Sequence, residues 1–155
     1  MAVNSLDELS ILMVVPSQVQ GRILLRALDG HGVLNIRSCK NVTDALSAMD
    51  DIKPDLVISS MYFEDGDGIE LVNAMRANEQ QENILFMLVS SEERFEMLDP
   101  VCQAGVIAVL PKPFSAEDVS NALDKSLVYL ADNAQASSPK SIESMRVLVV
   151  DDSRL

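Results

Sequence analysis

The stretch PDLVISSMYFEDGDGIELV, from Pro54 to Val72, carries a strand, a loop and the start of a helix in nineteen residues. DLVISS (Asp55 to Ser60), introduced by Pro54, opens with a continuous apolar run, as expected of a strand covered on both faces. MYFEDGDG is a polar loop, and IELVNAMRAN reads as the helix that follows. Strand, short loop and helix in that order form half of a βαβ unit, which places the chain among the α/β proteins.

The same alternation extends in both directions. Upstream, SILMVV (Ser10 to Val15) reads as a first buried strand. After it, Val19, Ile23, Ala27 and Leu24, Leu28 recur at helical spacing, and Gly30 and Gly32 end the helix. Leu34 to Ser38 is a short second strand. NVTDALSAM begins with Asn41 and an acid three residues on, a capping-box pattern. Downstream, ILFMLVS (Ile84 to Ser90) is the fourth strand. SEERFEMLDPVCQAG is expected to be helical, kinked or split at Pro100. VIAVL (Val106 to Leu110) is the fifth strand. Ser115 and Asp118 cap a last helix with a stripe of Val119, Ala122, Leu123, Leu127 and Leu130. Five alternations predict a five-stranded parallel sheet with helices on both faces.

Composition narrows the function. Of 155 residues, 48% are hydrophobic and 23% charged, as in a globular protein, and no apolar run approaches a bilayer-spanning length. MAVNSLDELS lacks the basic start and apolar centre of a signal peptide, so a cytoplasmic location is expected. The net charge of −12 argues against nucleic-acid and membrane-surface partners, because phosphate binding relies on Lys and Arg. Cys39 and Cys102 are too few for a metal cluster and are expected to be reduced. His31, between two glycines, reads as a solvated turn residue. PSQVQG after the first strand lacks the glycine-rich character of a nucleotide-binding loop.

From about Ala131, ADNAQASSPKSIES is small, polar and interrupted by proline, a linker composition. The chain then ends on MRVLVVDDSRL, and ILMVVPSQV (Ile11 to Val19) matches VLVVDDSRL (Val147 to Leu155) in register, Ser17 against Ser153. The expected organisation is one domain over residues 8–133, a linker at 134–144, and the first strand of a truncated second copy at 145–155.

At these residues the sequence resembles the receiver domains of two-component response regulators. Asp67-Gly68 stands where that family has its Asp-Gly turn, Ser90 ends the fourth strand, and LPKPF (Leu110 to Phe114) matches the Lys-Pro landmark at Lys112 and Pro113. The resemblance implies the flavodoxin-like (βα)5 fold, a doubly wound five-stranded parallel sheet of order 2-1-3-4-5, and a role in phosphorelay signalling. A receiver moves a phosphoryl group from histidine to aspartate, which needs a carboxylate nucleophile and a divalent ion held by oxygen ligands. The departures fall on that chemistry. Val15 and Pro16 replace the acidic pair, and the phosphoacceptor position, seven residues before Asp67, is Ser60. The switch position, aromatic in many receivers, is Val109, and the bond before Pro113 is often cis in the family.

The expectation is therefore a pseudo-receiver, not an enzyme, that needs no cofactor and has no metal in its first domain. It would work by protein–protein interaction with a second receiver or output domain of the same chain, a sensor histidine kinase, or a second copy as a homodimer. Glu92, Glu93, Arg94 and the helix from Ser115 supply a candidate face. Asp151-Asp152 carries the complete acidic pair of the second receiver, which is expected to be phosphorylatable. The alternative is a phosphorylatable receiver that uses Ser60, or Glu64, Asp65 or Asp67 in the loop, with Mg²⁺. With the acids absent, Lys112 would hydrogen-bond Ser60, Ser90 or a bound anion, or else reach backbone carbonyls in a structural role.

Overall fold

The computed structural model describes residues 5–91, 99, 103–112 and 114–135. Its elements are β1 (Ser10–Val14), α1 (Gln18–Gly30), β2 (Asn35–Cys39), α2 (Val42–Ile52), β3 (Leu56–Ser60), β4 (Tyr62–Phe63), β5 (Gly66–Asp67), α3 (Gly68–Ala77), β6 (Leu85–Ser90), β7 (Val106–Pro111) and α4 (Ala116–Gln135). A single 3₁₀ turn, Leu6–Glu8, precedes β1. The large sheet runs β2-β1-β3-β6-β7, all parallel, so the expected order holds with β6 and β7 as its fourth and fifth strands.

Strand residues alternate between two cores, as a period of two requires. Ile11, Met13, Leu56, Ile58, Leu85, Met87 and Val89 face α1 and α4, packing on Leu24, Leu28, Val119, Ala122 and Leu123. Leu12, Val14, Val57, Phe86 and Leu88 face α2 and α3, packing on Ala45, Met49, Leu71, Val72 and Met75. Within α1 only one of the two apolar spacings is used: Leu24 and Leu28 are buried, whereas Val19 and Ile23 are exposed.

The caps read from sequence are in place, with Asn41 Oδ1 accepting from the Asp44 amide at 2.8 Å. Ser17, which the sequence did not single out as a cap, caps α1, its Oγ accepting from the Gln20 amide at 3.3 Å. Ser115 and Asp118 form a reciprocal capping box, with bonds of 3.1 and 2.9 Å. His31 differs from expectation. It C-caps α1, and its Nε2 lies 3.1 Å from the Ala116 carbonyl, so that nitrogen carries a proton and ties α1 to the start of α4.

The loop after β3 also differs, because it folds into a small antiparallel hairpin of β4 and β5. Gly66 at its turn has φ 158, and a side chain there would meet the Glu70 carboxylate. Helix α4 continues to Gln135, two residues into the stretch expected to be linker. The helix around Pro100, the Glu92-Glu93-Arg94 face, Cys102, Pro113, the remainder of the linker and the 145–155 strand with Asp151 and Asp152 lie outside the described residues.

Candidate functional site

Parallel register carries the ends of β1, β3, β6 and β7 to one edge of the sheet. Val14 pairs with Ser59, Ser60 with Val89, and Ser90 with Pro111. The residues just past those ends converge there: Pro16, Gln20, Ser60, Met61, Tyr62, Ser90, Ser91 and Lys112 line a cleft of about 210 Å³. Val15 lies directly before Pro16, 6% exposed and packed into the α1 and α4 core. The structure thus brings together Pro16, Ser60, Ser90 and Lys112, four of the positions singled out from sequence.

The floor of the cleft is polar but not acidic. Ser60 is 3% exposed, and its Oγ has no hydrogen-bond partner. The neighbouring Ser59 hydroxyl instead donates to the Ser60 carbonyl at 2.7 Å. Behind it, Gly68 N–H donates to the Met61 carbonyl at 2.7 Å, and a Cβ on Gly68 would stand 3.0 Å from the Ser60 carbonyl oxygen. Glycine lets α3 start this close to β3 with no shift of the Ser60 carbonyl, which is what the Asp67-Gly68 turn provides. Lys112 is fixed through its backbone, its N–H donating to the Ser90 carbonyl at 3.2 Å. Burial lowers the pKa of its ammonium, and no carboxylate opposes that shift.

Two of the loop acids are engaged elsewhere, and Glu64 is exposed. Asp65 accepts from the Val42 and Thr43 amides at 3.1 and 3.0 Å and from the Thr43 hydroxyl at 2.9 Å, at the start of α2. Those bonds hold its carboxyl below the usual range. Asp67 caps α3, accepting from the Glu70 amide at 2.8 Å. Among the described residues no three His, Cys, Asp or Glu side chains stand close enough together to hold a metal ion. Val109, at the switch position, is half-buried against the α2 and α3 core.

One residue that sequence reasoning missed organises the opposite edge. Arg76, in the last turn of α3, donates from Nε to Ala104 O (2.9 Å), from Nη1 to Glu82 O (2.9 Å) and Ile84 O (2.8 Å), and from Nη2 to Gly105 O (3.1 Å). It holds the starts of β6 and β7, whose far ends carry Ser90 and Lys112.

A parallel sheet whose order reverses at β1 and β3, with a cleft at the carboxyl ends of those strands, defines the flavodoxin-like doubly wound class and its usual binding position. Within that class, a family model described as the response regulator receiver domain matches residues 11–124, and the chain belongs to that family. It is 26% identical over 117 residues to the chemotaxis protein CheY of Pseudomonas aeruginosa, covering 76% of this chain and 94% of that one. It is 22% identical over 120 residues to the DNA-binding transcriptional regulator NtrC of Proteus hauseri, matching 77% of this chain and spanning only 25% of that protein. In fold it is similar to the chemotaxis response regulator CheY4 of Vibrio cholerae, with TM-score 0.71 and 22% identity over 77% of this chain and 98% of that one. The signal receiver domain of an HD domain-containing protein from Pseudomonas fluorescens gives TM-score 0.75 at 18% identity, over 87% and 96% of the two chains. Among the described residues no helix is long and apolar enough to cross a membrane.

Proposed function

We propose that this receiver is a docking module that takes no phosphoryl group at Ser60 and acts beside a second, phosphorylatable receiver that begins at residue 145 and carries Asp151-Asp152. The observation that carries the reading is the content of the cleft. Val15 and Pro16 offer no side-chain oxygen, and Ser60 offers a neutral hydroxyl with no base to activate it. A hard divalent cation needs carboxylate, carbonyl or water oxygens arranged around it, and these side chains do not fit one. The module is accordingly not an enzyme and has no resident metal. Its partners are proteins: the second receiver or output domain of the same chain, or a sensor histidine kinase.

The rival reading gives phosphate to a loop acid. Asp65 and Asp67 are engaged at the starts of α2 and α3, which weighs against it.

Incubation with Mg²⁺ and acetyl phosphate, followed by intact-mass measurement, tests the proposal. The 155-residue chain is expected to gain no phosphoryl adduct, while a longer chain that completes the second receiver gains one. A labile adduct on Ser60, Glu64, Asp65 or Asp67 overturns the reading.

A further inference from the structure

Helix α1 exposes an unusual stripe. Val19, Arg22, Ile23 and Arg26 follow one another at i, i+3, i+4 and i+7, and all four face solvent, with Val19 65% and Ile23 53% exposed. The opposite side of the helix, with Leu24 and Leu28, is in the core. Among the described residues, neither Arg22 nor Arg26 is held in an ion pair. In a chain of net charge −12, this is a basic and apolar island.

Helix α4 exposes the complementary stripe. Glu117, Asn121, Asp124, Val128 and Asp132 share its outer face, and Val128, 61% exposed, sits between two aspartates one turn away on either side. The two helices lie in one layer, on the same face of the sheet, and pack against each other. One surface of one molecule therefore carries both halves of a matched pair.

We infer that two copies of this chain associate across this layer, with α1 of each copy on α4 of the other. In that arrangement Val128 packs on Val19 and Ile23, and the aspartates at 124 and 132 meet the arginines at 22 and 26. The arginines lie four residues, about 6 Å, apart along α1, and the aspartates that flank Val128 lie eight residues, about 12 Å, apart along α4, so the two long arginine side chains splay outward from Ile23 to reach them. Two-fold symmetry explains why both stripes are on one face. A single helix-on-helix contact falls short of the roughly 1,200 Å² that specific association needs, and the dyad supplies that contact twice. The inference is independent of whether Ser60 takes phosphate, since neither stripe touches the cleft floor.

Sedimentation equilibrium of the 155-residue chain is the test, with two charge-reversed variants, Arg22→Glu/Arg26→Glu and Asp124→Lys/Asp132→Lys. At low ionic strength the unaltered chain is expected to form a dimer that weakens at about 0.5 M salt, where the screening length drops to roughly 4 Å. Each variant alone is expected to lose at least about tenfold in association, because it faces like charge at both contacts. An equimolar mixture of the two is expected to recover a heterodimer, since every contact then joins opposite charges, and this recovery also shows that both variants are folded. A chain that stays monomeric at low salt, a dimer that neither reversal weakens, or a mixture that fails to recover would each overturn the inference.

Discussion

Replacing Arg76 tests the most concentrated piece of polar architecture in the molecule. Its guanidinium makes four hydrogen bonds, all to backbone carbonyls and all between 2.8 and 3.1 Å. Three of those acceptors, at Ala104, Ile84 and Gly105, are partly buried, and the fourth, at Glu82, is exposed. A buried acceptor that loses its donor costs about 1–3 kcal/mol, and the low end applies where water can enter at a sheet edge. The three partly buried carbonyls then set the loss for Arg76→Met at about 3 kcal/mol. Burial already lowers the Arg76 pKa, so removing a desolvated cation returns part of this, and about 2–3 kcal/mol is the net expectation.

Arg76→Lys separates charge from geometry. An ammonium has three donors on one atom and cannot span acceptors that the flat guanidinium reaches from three nitrogens. It is expected to lose about 2 kcal/mol, most of the methionine effect. Urea unfolding followed by circular dichroism reads both, and in a domain of this size the larger loss lowers Tm by about 10 °C. An unchanged slope with a lowered midpoint would place the effect in the native state. If the lysine variant unfolds within about 0.5 kcal/mol of the parent, the fork geometry is irrelevant and the reasoning fails.

Other outcomes follow from the cleft and its loop. Ser60→Ala removes a buried hydroxyl that has no partner, so urea unfolding is expected to show no loss and a gain of up to about 1 kcal/mol; a loss of that size would mean the hydroxyl is bonded. Asp65 has its carboxyl held low by the α2 amides, so its contribution is present above its unfolded value of 3.8 and fades as pH falls through the lower folded value. Asp65→Asn is expected to flatten the acid limb of a Tm-against-pH curve, and an unchanged limb contradicts the assignment. Lys112 has its pKa lowered by burial alone, so its ammonium opposes folding until pH rises past its folded value. Lys112→Met is expected to leave the urea midpoint unchanged or higher, and a fall would reveal a partner for the ammonium.

The sheet was legible because its strands are continuous apolar runs such as ILMV and LFMLV, and no local feature competes with that signal. The site followed from it, since parallel strands bring their carboxyl ends to one edge whatever residues stand there. The missed features depend on partners remote in sequence. Asp65 reads locally as a turn acid, and its bonds to Val42 and Thr43 reach across 22 and 23 residues. Arg76 reads as a solvated helix charge, and its acceptors belong to two loops that only the fold assembles. Val19 and Ile23 share the spacing of Leu24 and Leu28, so periodicity alone offers two faces for α1, and packing chooses between them. The β4 and β5 hairpin has only two residues per strand, too short for any periodicity to appear.

These substitutions also bear on why such a cleft stays folded without acids. Three carboxylates at the ends of neighbouring strands repel one another and depend on cations for relief. Here the first of those positions has become part of the core: Val15 packs with Leu24, Leu28 and Val89. Burying a valine stabilises by about 1.5 kcal/mol or more, where a buried carboxylate without its metal would destabilise. A half-buried valine at Val109 completes the same trend, since it packs on the α2 and α3 core where a large ring would need room to rotate. On the function proposed above, each of these residues holds the scaffold in one state where a phosphate-responsive group would let it switch, and the surfaces then carry the activity, which is why the charged stripes of α1 and α4 merit the first mutations.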